Sequence, residues 1–262
     1  MQTKAVIDYI VEWLDNYLLS SGQKGYTVGI SGGIDSAVTS TLAAMTGKPL
    51  LVIEMPIHQN KDQVNRGKQH IQWLQSKFDN VQSTYIDLTH TYDALVEAVQ
   101  VDKSKNDWEL SLANSRARLR MTTLYYFAGL HRYLVLGTGN KIEDFGVGFF
   151  TKYGDGGVDV SPIADLMKSE VYLLAKKLNI LDTIQKAKPT DGLFEDNRSD
   201  EDQLGATYDE LEWAMKIPEN QNIEDFENRQ KEVLRIYRRW NKAAQHKLNP
   251  IPVAYIPKEL KA

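Results

Sequence analysis

Y-T-V-G-I-S-G-G-I-D-S, residues 26–36, is the stretch on which the fold turns. Its first five residues are apolar or β-branched and read as a buried strand. A-V-T-S-T-L-A-A-M (37–45) reads as a helix that stops at Gly47. Between them lies a tight loop. Gly32 and Gly33 let the backbone turn so that successive N–H groups point into one concavity. The helix that follows offers further unsatisfied N–H groups and the positive end of its dipole. Ser31 and Ser36 add hydroxyls. Such a loop holds phosphate without lysine. It is neither G-x-x-x-x-G-K-[ST] nor G-x-G-x-x-G. Asp35 is the unusual member, because a carboxylate repels phosphate unless a cation sits between them. It therefore points to Mg²⁺. The bland alternative is a tight turn with Asp35 as a helix cap.

Outward from this stretch, strands and helices alternate. Residues 3–19 place Val6, Ile7, Ile10, Trp13, Leu14, Tyr17 and Leu18 at helical spacing, ending near Gly22. Strands are expected at 50–55, 83–88 and 133–137, and helices at 60–78, 91–100 and 108–129. This order predicts an α/β fold, a doubly wound parallel sheet flanked by helices. Past residue 138 the pattern changes. A Gly-rich loop spans 146–157, helices are expected at 168–178, 200–215 and 224–245, and 182–200 reads as irregular. The segments 146–157 and 190–200 are expected to cover the site and to be mobile without ligand. The tail N-P-I-P-V-A-Y-I-P cannot be helical throughout.

The 262 residues suffice for one large domain with a full core. A net charge of −4 lacks the basic footprint of a nucleic-acid binder. With no cysteine, thiolate metal sites and cysteine nucleophiles are excluded. No signal peptide or membrane-spanning run is evident, so a cytoplasmic enzyme is the expectation.

S-G-G-x-D-S resembles the signature of the ATP pyrophosphatases, which split ATP into AMP and pyrophosphate. L-G-T-G-N-K-I-E-D-F-G-V-G-F-F-T-K-Y-G-D-G-G-V-D (136–159) is similar to the ammonia-dependent NAD synthetases. So are N-S-R-A-R-L-R-M (114–121), K-P-T (188–190), S-D-E-D-Q-L-G (199–205) and H-K (246–247). The resemblance implies the ATP pyrophosphatase (adenine nucleotide hydrolase-like) architecture. It implies a single domain over 1–262 without the amidase domain of glutamine-dependent relatives, hence use of free ammonia. It also implies a homodimer, ATP-dependent amidation of deamido-NAD to NAD through an adenylate, and release of AMP and pyrophosphate.

The residue roles follow from the same resemblance. Gly29, Ile30, Ser31, Gly32, Gly33, Ile34, Asp35 and Ser36 would hold ATP with Thr138, Lys168 and Thr190. Arg118, Lys152, Asp159, His246 and Lys247 would hold deamido-NAD. Asp35 and Glu143 would hold Mg²⁺, with Asp144 the alternative to Glu143. Asp35, Lys168 and Asp159 would be catalytic. From the residues alone, Lys168 reads as an exposed lysine and His246-Lys247 as surface. Arg116 and Arg120 share one helix face, taken as solvated or subunit-facing. After K-P-T this chain continues Asp191-Gly192-Leu193-Phe194, where the family more often begins with alanine. Two other readings remain open. One is another ATP pyrophosphatase, though a tRNA substrate would favour a basic surface. The other is a non-catalytic ATP or AMP sensor indifferent to Mg²⁺.

Overall fold

The structure, a computed structural model, describes residues 1–190 and 199–261. Helix α1 (Thr3–Ser21) precedes strand β1 (Gly25–Gly29), α2 (Ile34–Met45), β2 (Leu50–Glu54), α3 (Lys61–Lys77) and β3 (Val81–Tyr85). Then come α4 (Thr89–Val99), α5 (Trp108–His131) and β4 (Tyr133–Val135). All pairings are parallel, in the order β3-β2-β1-β4. The chain moves outward from β1 through β2 to β3, then crosses to the other side of β1. The direction reverses between β1 and β4, and ligands in open α/β sheets bind at the carboxyl ends of strands at that reversal.

Both faces of the sheet are covered, as expected for parallel strands. In β2, Leu50 and Val52 pack into the core shared with α1 and α2, whereas Leu51 and Ile53 join Leu88 and Tyr92 on the opposite face. Successive side chains of a strand point to opposite faces, so an unbroken apolar run needs exactly this two-sided burial. Some boundaries differ from expectation. The third strand lies at Val81–Tyr85, with Val81 buried and Tyr85 exposed. In α1, Ile7, Ile10, Leu14 and Leu18 are buried, while Trp13 and Tyr17 stack on each other at 36% and 40% exposure.

Beyond β4, a short π-helix (Ile142–Val147) leads to α6 (Lys168–Lys177), α7 (Asp182–Gln185), α8 (Asp200–Leu204), α9 (Tyr208–Met215) and α10 (Asn228–Leu248). The expected helix over 200–215 is thus two. Gly205 takes a left-handed φ of 82°, and Thr207 starts a new helix through a capping box with Glu210. The segment expected to be irregular contains α7. Ile142, Val147, Leu211 and Leu234 make a smaller second core. No helix among the described residues is long and apolar enough to cross a membrane.

One buried group ties stability to pH. His70 on α3 is fully buried, with Nε2 2.9 Å from Ser40 Oγ on α2. Burial pulls its pKa from 6.5 to about 4. Between those values the unfolded chain binds the proton and the folded chain does not, so this contribution is complete above pH 6.5 and fades as pH falls toward 4. Relative to His70→Gln, the wild-type chain should lose about 2 kcal/mol of stability between pH 7 and pH 5. Urea unfolding at both pH values checks this, and parallel pH curves for the two proteins would refute it.

Candidate active site

The phosphate-loop segment and the residues after β4 face each other across the reversal point. Gly32 has φ +79°, and its Cα is packed against the backbone of Gln63 and Gly67 in α3. Ser36 donates to the Gly33 carbonyl at 3.0 Å, and its hydroxyl lies 3.0 Å from that of Ser31. The serines thus brace the loop on itself. Helix α2 begins at Ile34 with Gly33 as its N-cap; the Gly33 N–H donates to Ser31 Oγ at 3.2 Å, and glycine has no side chain to accept from the helix's own first N–H groups. That leaves an uncapped helix end open to an anion.

Three charged side chains meet at the edge of this loop. Lys168, the first residue of α6, is 3% exposed. Its Nζ donates to Asp35 Oδ2 at 2.7 Å and to Glu143 Oε1 at 3.0 Å. Asn140, fully buried, donates to Asp35 Oδ1 at 3.2 Å and accepts from the Glu143 backbone N–H at 3.2 Å. The Tyr208 hydroxyl donates to Glu143 Oε1 at 2.6 Å. Burial pushes Asp35 above its ordinary value, against the pull of Lys168 and with a further push from Glu143. Burial also works on Glu143, but Lys168 and the Tyr208 hydroxyl hold it below the usual range. Lys168 stays protonated, since the two carboxylates outweigh its burial. Asp144 differs. Its carboxyl lies against Gly139, and burial, then Glu143, Asp155 and Asp35, push it up to about 8.

One cleft is lined by Gly29 through Ser36, Thr138, Glu143, Lys168 and Thr190. Every ATP and metal residue anticipated from the sequence therefore borders it. The residues anticipated for the dinucleotide do not. Arg118 is exposed on α5 and donates to the Lys152 carbonyl at 3.3 Å; Lys152 Nζ donates to the His246 carbonyl at 2.7 Å. These three form a chain of contacts of their own. Lys247 donates to the carbonyls of Gly148 and Phe150, so the end of α10 fastens the Gly-rich segment. Asp159 accepts from the Tyr125 hydroxyl at 3.0 Å and from the Val135 N–H at 2.8 Å, tying α5 to β4. Residues 191–198, including Asp191–Phe194, lie outside the described residues.

The surface reading of Arg116 and Arg120 is corrected. Arg116 is 6% exposed, with its guanidinium 4.7 Å from the Tyr92 ring centroid. Arg120 lines the cleft and donates to the Met55 carbonyl at 3.0 Å and to Gln59 Oε1 at 2.8 Å. Helix α5 carries the sheet face on the side of these two arginines and leaves Arg118 outside. Sequence reasoning also missed Asn140 and Tyr208, and Arg66 of α3, which lines the cleft. Asn140 stood in the Gly-Asn turn after β4, where a polar side chain at the sheet edge was a usable signal. Nothing local marks the other two.

Comparison with known proteins identifies the family. Residues 6–251 match the NAD synthase family model. The chain is 41% identical over 216 residues to the NH(3)-dependent NAD(+) synthetase of Mycoplasma pneumoniae, covering 80% of this chain and 83% of that one. It is 36% identical over 263 residues to the enzyme of that name from Syntrophomonas wolfei, covering both chains completely. Among solved structures, an NMN synthetase from Francisella tularensis superposes with a TM-score of 0.83 at 29% identity, covering 98% of this chain and 99% of that one. An NH3-dependent NAD synthetase from Campylobacter jejuni shares the fold with a TM-score of 0.77 at 24% identity, covering 97% and 100%. A family model spanning nearly the whole chain, and relatives of this identity along most of their length, place the chain in the NAD synthase family.

Proposed function

We propose that this chain amidates deamido-NAD to NAD with ammonia, consuming ATP. The observation that carries the reading is the buried Asp35–Lys168–Glu143 trio beside an uncapped helix end at the carboxyl edge of the sheet. A carboxylate does not react with ammonia until it carries a leaving group. A carboxylate oxygen of the nicotinate ring attacks the α-phosphorus of ATP, and the bond to the β-phosphate breaks. Pyrophosphate leaves toward the loop. The ammonia lone pair then attacks the acyl carbon, the bond to AMP breaks, and the nitrogen loses a proton to give the amide. The N–H groups of the loop and of α2 would stabilise charge on the departing pyrophosphate. Holding the two substrates in register would supply much of the rest.

The donor set fits Mg²⁺. Asp35 and Glu143 present hard oxygens to one point, and the cation now bridging them is the Lys168 ammonium. No group of three or more His, Asp or Glu among the described residues is arranged to hold a metal. Phosphate oxygens would complete the shell. When bound, the ion would offset charge between the carboxylates and the triphosphate. Glu143 suits this role better than Asp144, because it converges with Asp35 on one point while the Asp144 carboxyl lies against Gly139. The Arg118–Lys152–His246 chain is the proposed dinucleotide flank. Dimerisation is supported by aromatic and apolar side chains left outside on α1 and α5, such as Tyr9 at 68%, Tyr126 at 65% and Leu130 at 62% exposure.

Product analysis tests the reading. ATP, Mg²⁺, ammonium and deamido-NAD are supplied together and each is omitted in turn. NAD, AMP and pyrophosphate are expected together, only in the full mixture. Because one similar structure is an NMN synthetase, the deamidated mononucleotide is offered in parallel. Faster turnover of that acceptor, or ATP cleavage without any amide product, would displace deamido-NAD as the substrate.

A further inference from the structure

Lys168 stands at the acidic edge of the cleft. Its ammonium lies 2.7 and 3.0 Å from the carboxylates of Asp35 and Glu143. The loop itself contains no basic residue. A leaving group that gathers negative charge needs a positive partner on the side away from Asp35. The cleft supplies one from α3. Arg66 lines it beside Gly32, Gly33 and Gln63. Its Nε donates to the Gly32 carbonyl at 3.2 Å, which fixes the guanidinium edge-on against the loop. It is half-buried, and no carboxylate among the described residues pairs with it. Four further N–H donors remain on its terminal nitrogens, in the planar fork that suits two phosphate oxygens at once.

We infer that Arg66 is a pyrophosphate-binding residue, gripping the β- and γ-phosphates of ATP from the α3 side of the cleft. The inference rests on the ATP pyrophosphatase reading proposed above and deepens it. The contact with Gly32 lets one side chain do two things. It orients the loop carbonyl away from the anion, and it brings a full positive charge to the end of the loop opposite the acidic trio. ATP would then lie between the acidic edge of the cleft and an arginine edge at its terminal phosphates.

The test is direct binding of inorganic pyrophosphate, with Mg²⁺ present, by titration calorimetry on the whole chain. AMP is the control ligand, and Arg66→Gln and Arg66→Lys are compared with the wild type. The expected result is pyrophosphate affinity lower by at least about tenfold in Arg66→Gln, with Arg66→Lys in between and AMP affinity within twofold throughout. A point charge without the fork should recover part of the effect, which a residue that only braces Gly32 would not show. Equal pyrophosphate affinity in Arg66→Gln and wild type would overturn the inference. So would a parallel loss of AMP and pyrophosphate binding, the sign of a distorted loop. A wild-type chain that binds ATP but no pyrophosphate would bring down the pyrophosphatase reading and this inference with it, an outcome distinct from the failure of the variants alone.

Discussion

Lys168→Met is expected to lower the rate of NAD formation at limiting substrate by about 10²–10³-fold and to destabilise the fold by about 3–5 kcal/mol. Methionine keeps the length of the side chain and removes the charge. Asp35 and Glu143 then face each other at 18% and 15% exposure with no cation between them. Breaking a buried ion pair by removing one partner leaves charge that the interior cannot solvate. The protein has one cheap response, which is to take up a proton on Asp35, whose carboxyl burial already pushes up. That response removes the oxygen donor proposed for Mg²⁺. Activity and stability therefore fall together, yet they are separable. Adding Asp35→Asn to Lys168→Met should return part of the stability, since one of the opposed charges is gone, and none of the activity. Chemical denaturation and product formation on the four members of this cycle measure both. Retention of activity within threefold in Lys168→Met would remove the trio from the mechanism.

That same lysine marks where sequence reading stops. The β1–loop–α2 segment was legible because everything that shapes it is local: an apolar strand, two glycines, a helix. The alternation that follows gave the doubly wound sheet, and Leu50–Ile53 pack on both its faces as an unbroken apolar run requires. Lys168, by contrast, reads locally as a surface lysine. Its burial is created by carboxylates 133 and 25 residues away in sequence. Only the family resemblance drew it into the site. Tyr208 is hidden for the same reason, because its partner Glu143 lies 65 residues away. The three arginines of α5 failed differently. That helix is covered on more than one side, so no single apolar stripe tells which face turns inward, and the inward pair was read as the outer one. The break between α8 and α9 was written in the sequence. Thr207 and Glu210 form a capping box with Gly205 just ahead of it. The acidic run around them concealed the stop.

The phosphate loop offers the second large effect, through two adjacent glycines that should behave oppositely. Gly32→Ala is expected to cost about 1–3 kcal/mol from backbone conformation alone, because φ is +79° there. Space makes it worse. A Cβ on Gly32 would fall on the Gln63 carbonyl oxygen, far inside van der Waals contact, and 3.1 Å from the Gly67 nitrogen. Both obstacles are backbone atoms of α3, so no side chain can rotate away, and the loop or the helix must move. A displacement of about 1 Å at a positioned phosphate is enough to cost about 10²-fold in rate. Such a shift would also pull the Gly32 carbonyl from Arg66, 3.2 Å away at Nε. Gly33 is the internal control. Its φ is −94°, open to any residue, and the nearest atom to an added Cβ is Ser31 Oγ at 3.3 Å, on a side chain that can yield. Gly33→Ala should therefore melt within about 1 kcal/mol of the wild type. Thermal unfolding of the two variants decides whether the loop depends on both glycines for flexibility or on Gly32 for its seat against α3. Equal destabilisation would favour the first. The asymmetry expected here means that the loop is a rigid ledge built on α3, shaped before any nucleotide arrives.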